Sequence, residues 1–231
     1  MPLPNPTPTT TAVVTGASSG IGADIARELA RRGHGVTLVA RREDRLRDLA
    51  AELGKTVRVE VIACDVSDSN ARASLFDDIA DRGLTVAILV NNAGIGTIGS
   101  VTKTPVDDEI AHVRVNVEAV IDLTTRAVQQ MVPRGRGAIL NVASTAGLHP
   151  FPGQAGYAGT KAFVHTYTEG LRGELALNVG GVPITPRRSQ RRNPRHADAG
   201  AGWRPRTSLP GRASVGTPFS AMISPDTIVA T

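Results

Sequence analysis

Only one cysteine occurs in the sequence, Cys64, so no disulfide can form within the chain. No run of about 18 apolar residues is present, which excludes a membrane-spanning helix of ordinary length. The histidines (His34, His112, His149, His165 and His196) show no metal-ligand spacing among themselves or with Cys64, and no metal site is indicated. The start, Met1-Pro-Leu-Pro-Asn-Pro-Thr-Pro-Thr-Thr10, lacks the basic opening and apolar run of a signal peptide. It reads as a flexible lead-in, residues 1–10, and makes a cytoplasmic location the default. Lysine is missing beyond residue 178, where 8 Arg stand against 2 Asp. Residues 1–178 carry 18 Lys and Arg against 19 Asp and Glu, so the chain's net charge of +5 comes from its tail alone.

What is present is a repeating alternation of short β-branched runs and longer helical ones, in a chain of 231 residues that suits one α/β domain. Thr11–Thr15 reads as a strand, and Gly16-Ala-Ser18-Ser19-Gly20-Ile21-Gly22 follows at once. The helical pattern Ala23–Arg32 then ends at Gly33. Glycines in such a turn let the backbone approach a pyrophosphate, and the helix start offers unpaired N–H groups to it. Ser18 and Ser19 add hydroxyls. The second strand, Val36–Ala40, ends in Arg41-Arg42. A carboxylate there would bind a ribose 2′-hydroxyl, whereas guanidinium groups suit a 2′-phosphate, so NADP is favoured over NAD. The competing reading makes both arginines the solvated start of a helix over 43–53.

The third strand, 57–63, runs into Cys64-Asp65-Val66. Asp65 could accept from an adenine amino group or help start the helix over 71–82, where Ser67 and Asp68 are better caps. The fourth strand, 86–90, ends in Asn91-Asn92-Ala93-Gly94, small residues at the carboxyl edge of a parallel sheet where ligands sit. A long helical run over 106–132 contains Asn116, which taken alone is a satisfied buried amide. The fifth strand, 138–143, leads to Ser144, and a helix over 157–178 places Tyr157 and Lys161 one turn apart on one face. A phenol titrates near 10, and a neighbouring ammonium favours the phenolate. Lowering it by about 3 units takes about 4 kcal/mol, within reach of a cation in a partly dry cleft. The spacing alone is common by chance, and the company of the upstream motifs is what gives it weight.

In that order and on those elements, Thr15-Gly16-x-x-x-Gly20-x-Gly22, Asp65, Asn92-Ala93-Gly94, Asn116, Ser144 and Tyr157-x-x-x-Lys161 resemble the short-chain dehydrogenase/reductase family over about residues 10–178. The resemblance implies a Rossmann-type, doubly wound parallel sheet of strand order 3-2-1-4-5-6-7, and hydride transfer between a nicotinamide and a carbonyl or alcohol. It makes Tyr157 the general acid/base and Ser144 the group that polarises the carbonyl. Lys161 then lowers the tyrosine pKa and holds the nicotinamide ribose, and Asn116 positions a relay water. Gly16, Ser18, Ser19, Gly20, Ile21, Gly22, Arg41, Arg42, Asp65, Val66, Asn92, Ala93 and Gly94 line the cofactor. It also implies pairing of two copies through the helices over 106–132 and 157–178, where Ala158, Gly159 and Ala162 permit close approach.

Beyond 182–185, which reads as the start of a sixth strand, the pattern stops in a segment rich in Pro, Arg and Gly. From Pro183 to Pro218 the only apolar residues larger than Ala are Ile184, Trp203, Leu209 and Val215, so disorder is expected over 186–231. The domain therefore spans 11–185, with order 3-2-1-4-5-6, strand six curtailed and strand seven missing. Three readings follow. The chain is an NADP-dependent reductase of a small carbonyl or alcohol; or an inactive, unstable dinucleotide-binding remnant; or a polyanion binder acting through its basic tail. Eight Arg with one Trp and no accompanying motif make the last a thin case.

Overall fold

The computed structural model describes residues 3–178 and the short strand 228–230. Five strands and their crossover helices alternate along the chain: β1 (Thr10–Thr15), α1 (Gly20–Arg31), β2 (Gly35–Ala40), α2 (Glu43–Leu53), β3 (Val59–Ala63), α3 (Ser69–Asp81), β4 (Thr85–Asn91), α4 (Val106–Val113), α5 (Ala119–Met131) and β5 (Ala138–Asn141). The helix α6 follows, Ala155–Asn178, and β6 is Ile228–Ala230. The sheet order is β3-β2-β1-β4-β5-β6, parallel from β3 to β5.

Burial follows from the two-residue period of a strand. Ala12 and Val14 of β1 point to one face, where they meet Leu29 of α1 and Leu46 and Leu49 of α2. Val13 points to the other, with Leu75 and Ile79 of α3 and Leu123 and Ala127 of α5. Helices thus cover both faces, and β1 reads as a continuous apolar run because neither side sees water. Asp68 caps α3, accepting from the amides of Asn70 and Ala71. Cys64 is buried, and burial pushes its thiol up to about 11. Ahead of β1, Leu3 packs against the core and the side chain of Pro6 lies near Gly33.

Two expectations change. The helical run over 106–132 is interrupted by a π-helical turn, Arg114–Glu118, between α4 and α5. One extra residue there swings Asn116 inward, where it is 1% exposed. The sixth sheet position is taken by residues 228–230, antiparallel to β5, with Ala138 opposite Ala230 and Leu140 opposite Ile228. Ile228 and Val229 are β-branched and apolar, which suits an edge pairing. The fifth strand therefore has a partner on its outer edge. The stretch 182–185, expected as strand six, lies outside the described residues, as does the rest of the tail apart from 228–230.

Candidate active site

Side chains for the site come from the carboxyl ends of β1, β2, β4 and β5 and from the start of α6. At the first of these ends the backbone turns at Gly16, φ +67, and Gly20, φ +55. A Cβ on Gly16 would lie 2.8 Å from Cα of Ala93, and one on Gly22 would lie 2.4 Å from Nδ2 of Asn92. The turn is thus seated directly on the Asn92–Ala93 backbone, and glycine is required by the approach. Thr15 fastens the two strands: its hydroxyl donates to the carbonyl of Val90 and accepts from the amides of Asn92 and Ala93. Asn92 Nδ2 returns a hydrogen bond to the carbonyl of Thr15 at 3.0 Å.

Ser19 precedes α1 without a side-chain cap. The first turn of that helix keeps its orphan N–H groups, the feature that binds phosphate. Arg42, at the end of β2, reaches across to the same turn, with Nη2 3.1 Å from both Ser18 Oγ and Ser19 Oγ. Arg41 lies beside Asp65, Nη1 to Oδ2 3.9 Å. Burial raises the Asp65 carboxyl, but hydrogen bonds from the amide and hydroxyl of Ser67 and the charge of Arg41 outweigh it and hold the group below its ordinary value. A cradle that a Cβ would fill, an uncapped helix start and two guanidinium groups fit the phosphates of a dinucleotide.

At the other end of the site, Lys161 is 5% exposed and donates from Nζ to the carbonyl of Val142 at 2.7 Å. Among the described residues no carboxylate pairs with it, and burial brings its amine down to about 8. Its Nζ lies 5.9 Å from the centre of the Tyr157 ring. That ring rests on Gly96, where a Cβ would come within 2.8 Å of Cδ2. Gly94 lies in front of Lys161: a Cβ there would stand 3.4 Å from both Nζ and Asn116 Oδ1. Ser144 follows β5, and its Oγ accepts from the amide of Ala146 at 3.2 Å. A hydroxyl used in this way still has its proton to donate. Asn116 accepts at Oδ1 from the amide of Ile95, and its Nδ2 donates to the carbonyl of Ile95 and to Thr160 Oγ1. The structure shows it clamping the loop after β4 to α6.

Several contributors escaped the sequence reading. Asn91 and Asn141 sit opposite each other in register at the ends of β4 and β5. Asn91 Nδ2 donates to Asn141 Oδ1 and Thr124 Oγ1, and Asn141 Nδ2 donates to Thr168 Oγ1, so the sheet is tied to α5 and α6 beneath the site. The only signal in the sequence is that each asparagine ends an apolar run. The amide of Gly99 donates to the carbonyl of Gly153, joining the two loops that flank Tyr157. Between them lies a cavity of about 270 Å³ lined by Thr97, Ser100, Glu109, Gln154 and Tyr157 among others.

The family model for short chain dehydrogenases matches residues 10–186. Sulfoacetaldehyde reductase 2 of Chromohalobacter salexigens is 36% identical over 175 residues, 75% of this chain and 69% of that protein. Very-long-chain 3-oxoacyl-CoA reductase-A of Danio rerio is 37% identical over 176 residues, 74% of this chain but only 54% of that protein. Among solved structures, the short-chain dehydrogenase from Sphingobium yanoikuyae in complex with NADPH superposes with a TM-score of 0.69 at 36% identity, covering 73% of this chain and 67% of that one. The chain thus spans about half to two thirds of the length of these proteins.

Proposed function

Because the chain belongs to the short chain dehydrogenase family, we propose that it is an NADP(H)-dependent oxidoreductase interconverting a carbonyl and an alcohol. The observation that carries this reading is the placement of Lys161. Its amine is fixed on the Val142 carbonyl, beside the Tyr157 ring and behind the opening left by Gly94. When bound, the nicotinamide supplies or accepts the hydride. The rest falls to this chain's own side chains. Tyr157 gives a proton to the substrate oxygen during reduction and takes it back during oxidation. Ser144, its acceptor role satisfied by Ala146, donates to the same oxygen and draws charge onto it. Lys161 stabilises a phenolate by its charge and meets the ribose. Asn116, its amide committed to Ile95 and Thr160, is assigned to positioning a relay water.

Gly16 to Gly22, with Ile21 and the hydroxyls of Ser18 and Ser19, would hold the pyrophosphate side of the dinucleotide. Arg41 and Arg42 would hold the 2′-phosphate, Asp65 and Val66 the adenine, and Asn92 to Gly94 the nicotinamide half. The NADPH bound in the Sphingobium yanoikuyae neighbour supports the choice of cofactor. Among the described residues no helix is long and apolar enough to cross a membrane. Two copies pairing through the helical run 106–132, which holds α4 and α5, and through α6 complete the proposal.

The test is oxidation of NADPH by the purified protein across a panel of carbonyl compounds. Replacing Tyr157→Phe should lower turnover by about 10²–10⁴-fold, the usual weight of a general acid, with NADPH affinity changed by only a few fold. Lys161→Ala should damage both. Absence of turnover in the unmodified protein, with NADPH still bound, would favour the inactive remnant.

A further inference from the structure

The cavity beside Tyr157 is small, and its one charged side chain among the described residues is a carboxylate. Its volume of about 270 Å³ is about nine times the share of one water in the liquid. Thr97 and Ser100 offer hydroxyls, Gln154 an amide and Glu109 its carboxylate, while no Lys or Arg lines it among the described residues. Glu109 lies on α4, and its place against the catalytic helix is fixed closely. A Cβ on Gly156, the residue before Tyr157, would lie 2.0 Å from Glu109 Oε2 and 3.1 Å from His112 Nδ1. Glycine at 156 is what allows the carboxylate to sit this close to Tyr157.

Behind Glu109 stands His112, one turn along α4 and 1% exposed. Among the described residues neither of its ring nitrogens has a hydrogen-bond partner, and its nearest ionic neighbour is Glu109 Oε2, 3.8 Å from Nδ1. A wholly buried imidazole without partners is costly to keep. Here it forms a rigid back wall that leaves the carboxylate little room to retreat from the cavity. Glu109 stays 27% exposed, and among the described residues no arginine or lysine pairs with it.

From this arrangement we propose that Glu109 determines specificity, selecting a small alcohol or carbonyl compound that carries a protonated amine. The inference rests on the oxidoreductase reading and adds the substrate class. An ammonium beside Glu109 gains a charge-assisted hydrogen bond in a site partly screened from water. A carboxylate or sulfonate in the same place is repelled.

A matched series of secondary alcohols tests this: 1-amino-2-propanol, 2-butanol and 3-hydroxybutanoate differ only in whether the end group is cationic, neutral or anionic. In oxidation with NADP+, kcat/KM should favour the amine over the acid by at least tenfold, with 2-butanol between them. Glu109→Gln, nearly isosteric, should bring the ratio to within about twofold, and Glu109→Asp should restore part of it. Calorimetric binding of the three alcohols to the Tyr157→Phe protein saturated with NADP+ gives a second readout that needs no turnover. Preferred binding of the amine that disappears in the Tyr157→Phe, Glu109→Gln double variant supports the assignment even if nothing is oxidised, and then it is the oxidoreductase reading that fails. Turnover with no charge preference, or with a preference that Glu109→Gln leaves intact, overturns the assignment while the oxidoreductase reading stands. Binding of none of the three overturns it as well.

Discussion

The amine of Lys161 and the carbonyl of Val142 are 2.7 Å apart, and this contact joins α6 to the end of β5. Val142 is itself held from the other side, its amide donating to the carbonyl of Asn91 at 2.9 Å. Lys161 is therefore positioned by backbone atoms at the ends of two strands, and among the described residues no carboxylate shares its charge.

That placement has a consequence for stability against pH. Burial lowers the Lys161 amine from 10.5 to about 8. Below pH 8 the amine is charged in both folded and unfolded chains, and the folded state bears the whole cost of burying the charge. Between pH 8 and 10.5 the folded amine has lost its proton and the unfolded one has kept it, so stability from this group rises with pH. The full rise is about 3 kcal/mol. In urea unfolding without cofactor, Lys161→Met should be more stable than the parent protein at pH 7.5, with the difference shrinking toward pH 10.5. A difference that stays constant with pH would show that burial does not set this amine's titration.

The proposed selection of NADPH rests on Arg41 and on Arg42, whose guanidinium reaches Ser18 and Ser19. Hydrogen bonds to a charged group are worth about 1.5–3 kcal/mol. Arg42→Ala should therefore weaken NADPH by at least about tenfold and leave NADH nearly unaffected. Arg41→Asp should narrow or reverse the preference. Equal affinity of the unmodified protein for both dinucleotides would sink the assignment of Arg41 and Arg42 to a 2′-phosphate.

Gly22 and Gly20 make a controlled pair. A Cβ on Gly22 meets Asn92 Nδ2 and the carbonyl oxygen of Gly16 at 2.4 Å, whereas one on Gly20 meets nothing within 4 Å. Gly22→Ala should cost about 1–3 kcal/mol through overpacking, and Gly20→Ala about 1 kcal/mol through its left-handed φ alone. Thermal unfolding should therefore show the larger fall for Gly22→Ala. The reverse order would mean that the glycine turn is not seated on Asn92.

Assembly can be read by light scattering. Between the outer faces of α5 and α6 lies a cavity of about 310 Å³ lined by Val128, Tyr167, Gly170 and Leu171 among others. The proposed pairing places a second copy over this face. A dimer is expected, and Gly170→Arg, at a position where a Cβ meets nothing within 4 Å, should dissociate it without unfolding the chain. A stable tetramer, or a dimer indifferent to that arginine, refutes the pairing.

The features legible in the sequence were those written locally. Gly16 to Gly22 lie between a strand and a helix, and Tyr157 and Lys161 are one turn apart on one helix, so spacing alone declares them. The strand order from β3 to β5 followed from the same alternation and the family resemblance. Contacts that join distant elements left no such trace. Asn91 meets Asn141 across 50 residues, and Thr15 meets Asn92 across 77. Glu109 reaches the cavity only because α4 packs on Gly156. The π-helical turn at 114–118 was hidden because its residues suit an ordinary helix. The outer edge of β5 was mislaid for a different reason: its partner, residues 228–230, follows a segment with too little apolar surface to announce a strand.

That partner sets a timetable for making the protein. Ala138 pairs with Ala230, 92 residues later. Chains are synthesised at about 5–20 residues per second, so β5 waits about 5–20 s between its own emergence and the arrival of the strand that covers it. The strands β2 and β3 need no such delay, since each follows its neighbour within one crossover helix. During the wait a row of unpaired amides and carbonyls is open to any extended peptide, including the same edge of another nascent chain.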